Sequence, residues 1–139
     1  MRSRFNASDQ ASDVLPVFTE KRGGRISFEI FEFSGVATSG PLDASAGASN
    51  TGTSASSGSA TSSSANELAV GFVAGHGNSE AMTSNAAGYT TEPQRTSTGT
   101  KAASVVSGYE VLPTTGSTAF SANFGSAMYW AAGVAIFKP

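Results

Sequence analysis

The stretch that most constrains this chain is Met128-Tyr129-Trp130-Ala131-Ala132-Gly133-Val134-Ala135-Ile136-Phe137, closed by Lys138-Pro139. Read with a period of two, it sets Met128, Trp130, Ala132, Val134 and Ile136 on one face, with Tyr129, Ala131, Gly133, Ala135 and Phe137 on the other. The β-branched and aromatic content, the internal glycine and the proline stop favour a strand over a ten-residue helix. The heavy face is expected to be buried, and the small residues behind it predict a close neighbour.

The same alternation recurs upstream. Residues 25–33 put Ile26, Phe28 and Ile30 opposite Ser27 and Glu29; the phase then slips at Ile30-Phe31, which predicts a bulge. Residues 67–74 place Leu68, Val70, Phe72 and Ala74 on one face, expected to point inward, with Ala69, Gly71 and Val73 behind them. Gly75-His76-Gly77-Asn78 reads as the turn that ends this strand. Residues 88–92 form a short strand. Residues 101–112 form a longer one, with Val105, Ser107, Tyr109 and Val111 on one side. Residues 117–124 lead through Gly125-Ser126 into the final strand. Between Ser34 and Asn66 almost everything is Ser, Ala, Gly or Thr. A structureless loop of that length is uncommon in a compact domain, so short strands are expected near 42–48 and 57–62. The pattern as a whole predicts an all-β chain, an antiparallel β-sandwich of seven or eight short strands. Jelly-roll and immunoglobulin-like arrangements both fit.

Composition then narrows the function. At 139 residues the chain makes one sandwich domain over 26–139, preceded by an arm at 1–25. It is large enough to fold without a metal or a disulfide. With no cysteine, thiol nucleophiles and cysteine-ligated zinc are excluded. A net charge of −2 argues against nucleic acid as a partner, because phosphate binding needs a basic face. No apolar run reaches membrane-spanning length. Charged residues make up 13% of the chain, about half the usual share. Such a surface desolvates cheaply, which predicts contact with identical copies. No apolar run follows Arg2 and Arg4, so a secretory signal is not expected: the chain is made in the cytoplasm or is a piece of a longer one.

The arm carries five of the eight basic residues (Arg2, Arg4, Lys21, Arg22, Arg25). Its apolar run Val14-Leu15-Pro16-Val17-Phe18 is interrupted by proline, which suits an edge strand or a docking arm. Val14, Leu15, Val17 and Phe18 are the candidate oligomer contacts. Tyr89, Tyr109, Tyr129 and Trp130 are candidates for a carbohydrate-stacking platform. The single histidine, His76, has no nucleophile-elbow sequence to serve. Glu29 and Glu32 fall on opposite sides of a strand, and Asp43 with Glu67 is the one pair that suggests a surface cation. No catalytic residue, metal ligand or cofactor is assigned, and no enzyme is expected.

Four blocks carry a resemblance: Phe31-Glu32-Phe33-Ser34-Gly35-Val36, Pro41-Leu42-Asp43, Ala65-Asn66-Glu67-Leu68-Ala69-Val70-Gly71, and Tyr129 through Lys138. In this order they resemble a Ser/Thr/Gly-rich β-sandwich module of bacterial surface proteins and of bacteriophage tail, fibre and decoration proteins. The likeness covers 26–138. It implies a non-catalytic structural or adhesive module and brings no catalytic residues. Fewer strands precede Phe31 here than such modules usually have, which leaves sheet edges seeking partners. The expectation is a structural protein of a virion that assembles as a homo-oligomer with other virion or surface proteins. The alternative is a fragment of a secreted surface adhesin that binds carbohydrate.

Overall fold

A computed structural model describes residues 27–77, 81–97 and 101–139, and the arm contacts Val14, Leu15, Val17 and Phe18 lie outside them. Every regular element among the described residues is a strand: β1 (Leu42–Ser56), β2 (Ala60–Thr61), β3 (Glu67–Gly77), β4 (Met82–Ser84), β5 (Thr90–Thr91), β6 (Arg95–Thr96), β7 (Ala102–Leu112), β8 (Ser117–Thr118) and β9 (Ser121–Phe137). All pairings are antiparallel. The fold is thus all-β and sandwich-like, with nine strands among the described residues in place of seven or eight, four of them long.

The main layer runs β1-β9-β3-β7-β5, with β6 also on β7. β9 serves two layers. Its second part pairs β1 and β3, and its first part, 121–124, lies between the end of β1 and β4. The register jumps at the corner: Gly52 faces Met128, whereas Ser54 faces Asn123. The extra β9 residues there, Gly125 and Ser126 among them, turn the strand over the sheet, as bulged corners do. The break expected at Gly125-Ser126 is therefore a bend within one strand. The folded-over part and the two-stranded β2–β8 sheet cover the same side of the main layer. Two apolar clusters fill the space between: Ala55, Val73, Met82, Val106, Phe120, Ala122, Phe124, Met128 and Ala132 in one, and Ala60, Ala69, Leu112, Val134 and Ile136 in the other.

The inner face is made by the even residues of β9 and β7 and the odd ones of β3, as the register requires. For β9 this is the expected heavy face: Met128, Ala132, Val134 and Ile136 are buried. For β3 the expectation is reversed, although Leu68 is buried at its start. Ala69, Gly71, Val73 and Gly75 face the core, and Val70, Phe72 and His76 face out. Ala102, Ser104, Val106 and Gly108 face in, whereas Val105, Tyr109 and Val111 do not. The reason is volume. Gly71 lies directly opposite Gly108, and the ring of Phe120, fully buried, occupies the notch they leave. A Cβ on Gly71 would stand 2.4 Å from the Phe120 Cβ. Met128 fills the gap at Gly75 in the same way. Burying a phenylalanine contributes about 1.5–3 kcal/mol, so glycines that admit one stabilise the layer more than their own side chains could.

Phe120 is also held by its backbone. Ser57 N–H donates to the Phe120 carbonyl, and Phe120 N–H donates to Ser57 Oγ, both at 2.9 Å. Tyr89 meets the ring edge-on at 5.0 Å. The turn that delivers Ser57 is made possible by Gly58 at φ 73°, a conformation open to glycine at little cost.

Two further expectations change. Residues 27–33 are extended but join no ladder, and there is no bulge: odd residues face the protein throughout, and Phe28 and Ile30 face away. Gly75-His76-Gly77 is the end of β3, not a turn.

Candidate interaction face

The outer face of the main layer is where the chemistry of this surface collects. The segment 27–33 lies across its β7 side. Ser27 Oγ donates to the Arg95 carbonyl at 2.7 Å, and Ser107 Oγ on the outer face of β7 donates to Glu29 Oε2. Phe31 and Phe33 stack at 5.8 Å and both meet Tyr109 edge-on, at 6.1 and 5.2 Å. This arrangement explains the inverted phase. Glu29 turns inward because a hydroxyl and the Arg95 guanidinium, 4.0 Å away, meet it there. Burial nonetheless raises its pKa; Arg95 opposes that rise and Glu92 adds to it. Glu32 is exposed on the other side of the segment.

Beside the segment runs a groove of about 510 Å³ lined by Phe31, Phe33, Val70, Phe72, Gly133 and Phe137. Its floor is Gly133, over which the Phe72 ring lies: a Cβ there would come within 2.7 Å of it. The exposed large apolar residues among those described are Phe28, Ile30, Leu42, Phe72, Val111 and Tyr129, with Ile30 68% and Tyr129 70% exposed. All six belong to this one side. Phe72 and Val111 are outward positions of β3 and β7, Tyr129 of β9, and Leu42 pairs Phe137 on the same face. Phe28 and Ile30 form the outer surface of the segment that lies on it.

The aromatic residues picked from sequence do not share a surface. Tyr89 packs into both core clusters, and Trp130 packs against the first of them from the inner face. The Tyr89 and Thr118 hydroxyls are hydrogen-bonded at 3.1 Å, and Thr118 in turn donates to Glu110. Burial pushes the Tyr89 phenol up to about 12; Thr118 opposes the shift and Glu110 reinforces it. Tyr109 and Tyr129 do face outward, but Tyr109 is level with Val70 and Tyr129 with His76. Six residues of strand separate those levels, about 20 Å.

Asp43 and Glu67 do come together. Ser63 donates to Asp43 twice, from its N–H at 2.8 Å and its hydroxyl at 2.7 Å, and Lys138 Nζ lies 3.5 Å away. These bonds hold the Asp43 pKa below the usual carboxylate range. Glu67 is fully buried beside it, and burial, with Asp43 adding to it, raises the Glu67 pKa. Asp43 is met by Ser63 and Lys138, whereas Glu67 Oε2 is buried with no hydrogen-bond partner among the described residues. His76 stands exposed on the outer face, opposite Tyr129 on one side and Ala103 on the other.

Against family models, curated proteins and solved structures, the chain matches nothing.

Proposed function

We propose that this protein is a non-catalytic structural component of a virion, of the bacteriophage decoration, tail or fibre kind, that assembles through contacts between its own copies. The observation that carries the reading is the outer face. Strands β3, β7 and β9 turn Phe72, Val111 and Tyr129 outward, Leu42 of β1 shares that face, and Phe28 and Ile30 are exposed on the segment laid over it, so these large apolar side chains are left uncovered by the described residues. Apolar surface gathered on one side of a protein marks an interaction site. Sparse charge, 13% of residues, lowers the desolvation cost of such a contact. The phage context rests on the blocks around Phe31, Pro41, Glu67 and Tyr129 that resemble modules of virion proteins.

Sedimentation velocity of the full chain over a hundredfold range of concentration tests this. Assembly into dimers or larger species is expected. A 14.0 kDa monomer throughout contradicts it, and a monomer that also binds a glycan array favours the surface-adhesin alternative.

A further inference from the structure

We infer that the bare edge of β1 is where two copies of this chain join, strand beside antiparallel strand, so that the main sheet continues from one copy into the next. This rests on the self-assembly proposed above and adds to the outer face a second contact between copies.

The two borders of the main layer are unlike. On the β7 side the edge is stubbed by the two-residue strands β5 and β6. On the other side stands β1, fifteen residues long, with β9 on one flank and no strand of the described residues on the other. An edge of that length offers a row of backbone donors and acceptors that another strand can satisfy. Proteins that keep such an edge apart from others use lysine, proline or inward-pointing charge to do so. Here, from Ala44 to Asn66, there is no charged residue and no proline. The nearest charge, Asp43, is drawn away by Ser63 and Lys138.

Residues 47–51 are exposed on both faces of the strand. Among the described residues only β9 pairs with them, and their small side chains let another backbone approach. The edge is also compatible with its own copy. About a two-fold axis through Ala48, Gly47 meets Ser49, Ala46 meets Asn50, Ser45 meets Thr51 and Ala44 meets Gly52. Every pair is neutral, and Ser45 with Thr51 makes a hydroxyl pair of the kind that stabilises neighbouring strands. With no charge to select a different partner, the strand available at matching concentration and matching length is β1 of a second molecule. Joining there also brings the two outer faces, from Leu42 and Phe137 onward, into one continuous surface.

The register supplies its own test. Ser45 and Thr51 are exposed, so substitutions there leave the core intact, which circular dichroism checks. In the full-length chain, Ser45→Lys with Thr51→Lys sets like charges opposite each other in both symmetric pairs, and association should weaken about tenfold or more. Ser45→Lys with Thr51→Glu sets opposite charges across the same contacts and should restore it. Sedimentation equilibrium reads both. If the natural chain assembles but the double-lysine variant assembles equally well, the β1 contact is wrong while the structural reading stands. If the double-lysine variant dissociates and the Lys/Glu variant does not recover, this antiparallel self-pairing is wrong. If the natural chain is itself monomeric, both readings fail.

Discussion

Gly71→Ala should be the most damaging single methyl that can be added to the sheet's glycines without touching a turn. The new Cβ would stand 2.4, 2.6 and 2.8 Å from the Cβ, Cγ and Cδ2 of Phe120, about 1 Å inside ordinary contact. These atoms are the root of a fully buried side chain, so the clash cannot be relieved by rotating a tip. The ring has little room to retreat: Gly108 lies against its Cε2 edge, Tyr89 meets it edge-on, and Phe120 N–H and carbonyl are both tied to Ser57. Overpacking of this kind costs about 1–3 kcal/mol, here at the upper end, offset by about 0.5–1 kcal/mol that alanine gains over glycine in a strand. The net is about 2 kcal/mol, or a fall in Tm of about 6–10 °C. Gly75→Ala and Gly133→Ala serve as controls. Their clashes are with the Met128 methyl at 2.5 Å and the edge of the half-exposed Phe72 ring at 2.7 Å, both free to swing, so each should change stability by less than about 1 kcal/mol. Thermal or urea unfolding of the three variants reads the order. If Gly71→Ala is tolerated as well as Gly133→Ala, Phe120 does not sit in the notch and the inverted core is refuted.

Ser57→Ala removes the acceptor of the buried Phe120 N–H and should cost about 1–3 kcal/mol in urea unfolding; no loss would mean that amide is satisfied elsewhere. Glu67→Gln tests the raised pKa of the buried Glu67 carboxyl. A carboxyl whose pKa is raised on folding contributes stability below its unfolded value of about 4.5, and that contribution is lost as pH rises through the folded value. The variant should therefore gain Tm relative to the natural chain between pH 5 and 8 and match it near pH 4; a variant less stable at pH 8 would contradict the raised pKa. In a spectrophotometric titration, Tyr89 should ionise near 12, and Tyr89→Phe should abolish that step; its persistence in the variant would contradict the assignment.

The alternation of β9, β3 and β7 was legible in the residues, and with it the antiparallel all-β class. Which side of β3 faces inward was not. Choosing the bulky side assumes that a core is filled by the side chains of its own sheet. Here Phe120, just before β9, and Met128, just past the corner of β9, drop into Gly71, Gly108 and Gly75, so the small face of β3 becomes the buried one. β9 itself read correctly because its own Met128, Val134 and Ile136 do the filling. Periodicity fails in β1 for a different reason: Ala, Ser, Gly and Thr differ too little in volume and polarity to show a period, so a fifteen-residue strand read as a short one at 42–48, while the strand expected at 57–62 is the two-residue β2. The phase of 27–33 depends on Ser107, Arg95 and Tyr109, more than sixty residues away, and no local pattern carries that. The apolar face shared these obstacles. Phe72, Val111 and Tyr129 each look like ordinary strand residues, and only the register of three strands brings them to one surface.

The most direct test of that surface is hydroxyl-radical footprinting of the full chain as a function of protein concentration. If copies of the protein cover the outer face, modification of Tyr129, Phe72 and Ile30 falls steeply as concentration rises, while buried Phe120 is protected at every concentration. Equal modification of Tyr129, Phe72 and Ile30 at all concentrations, with Phe120 still protected, would contradict it.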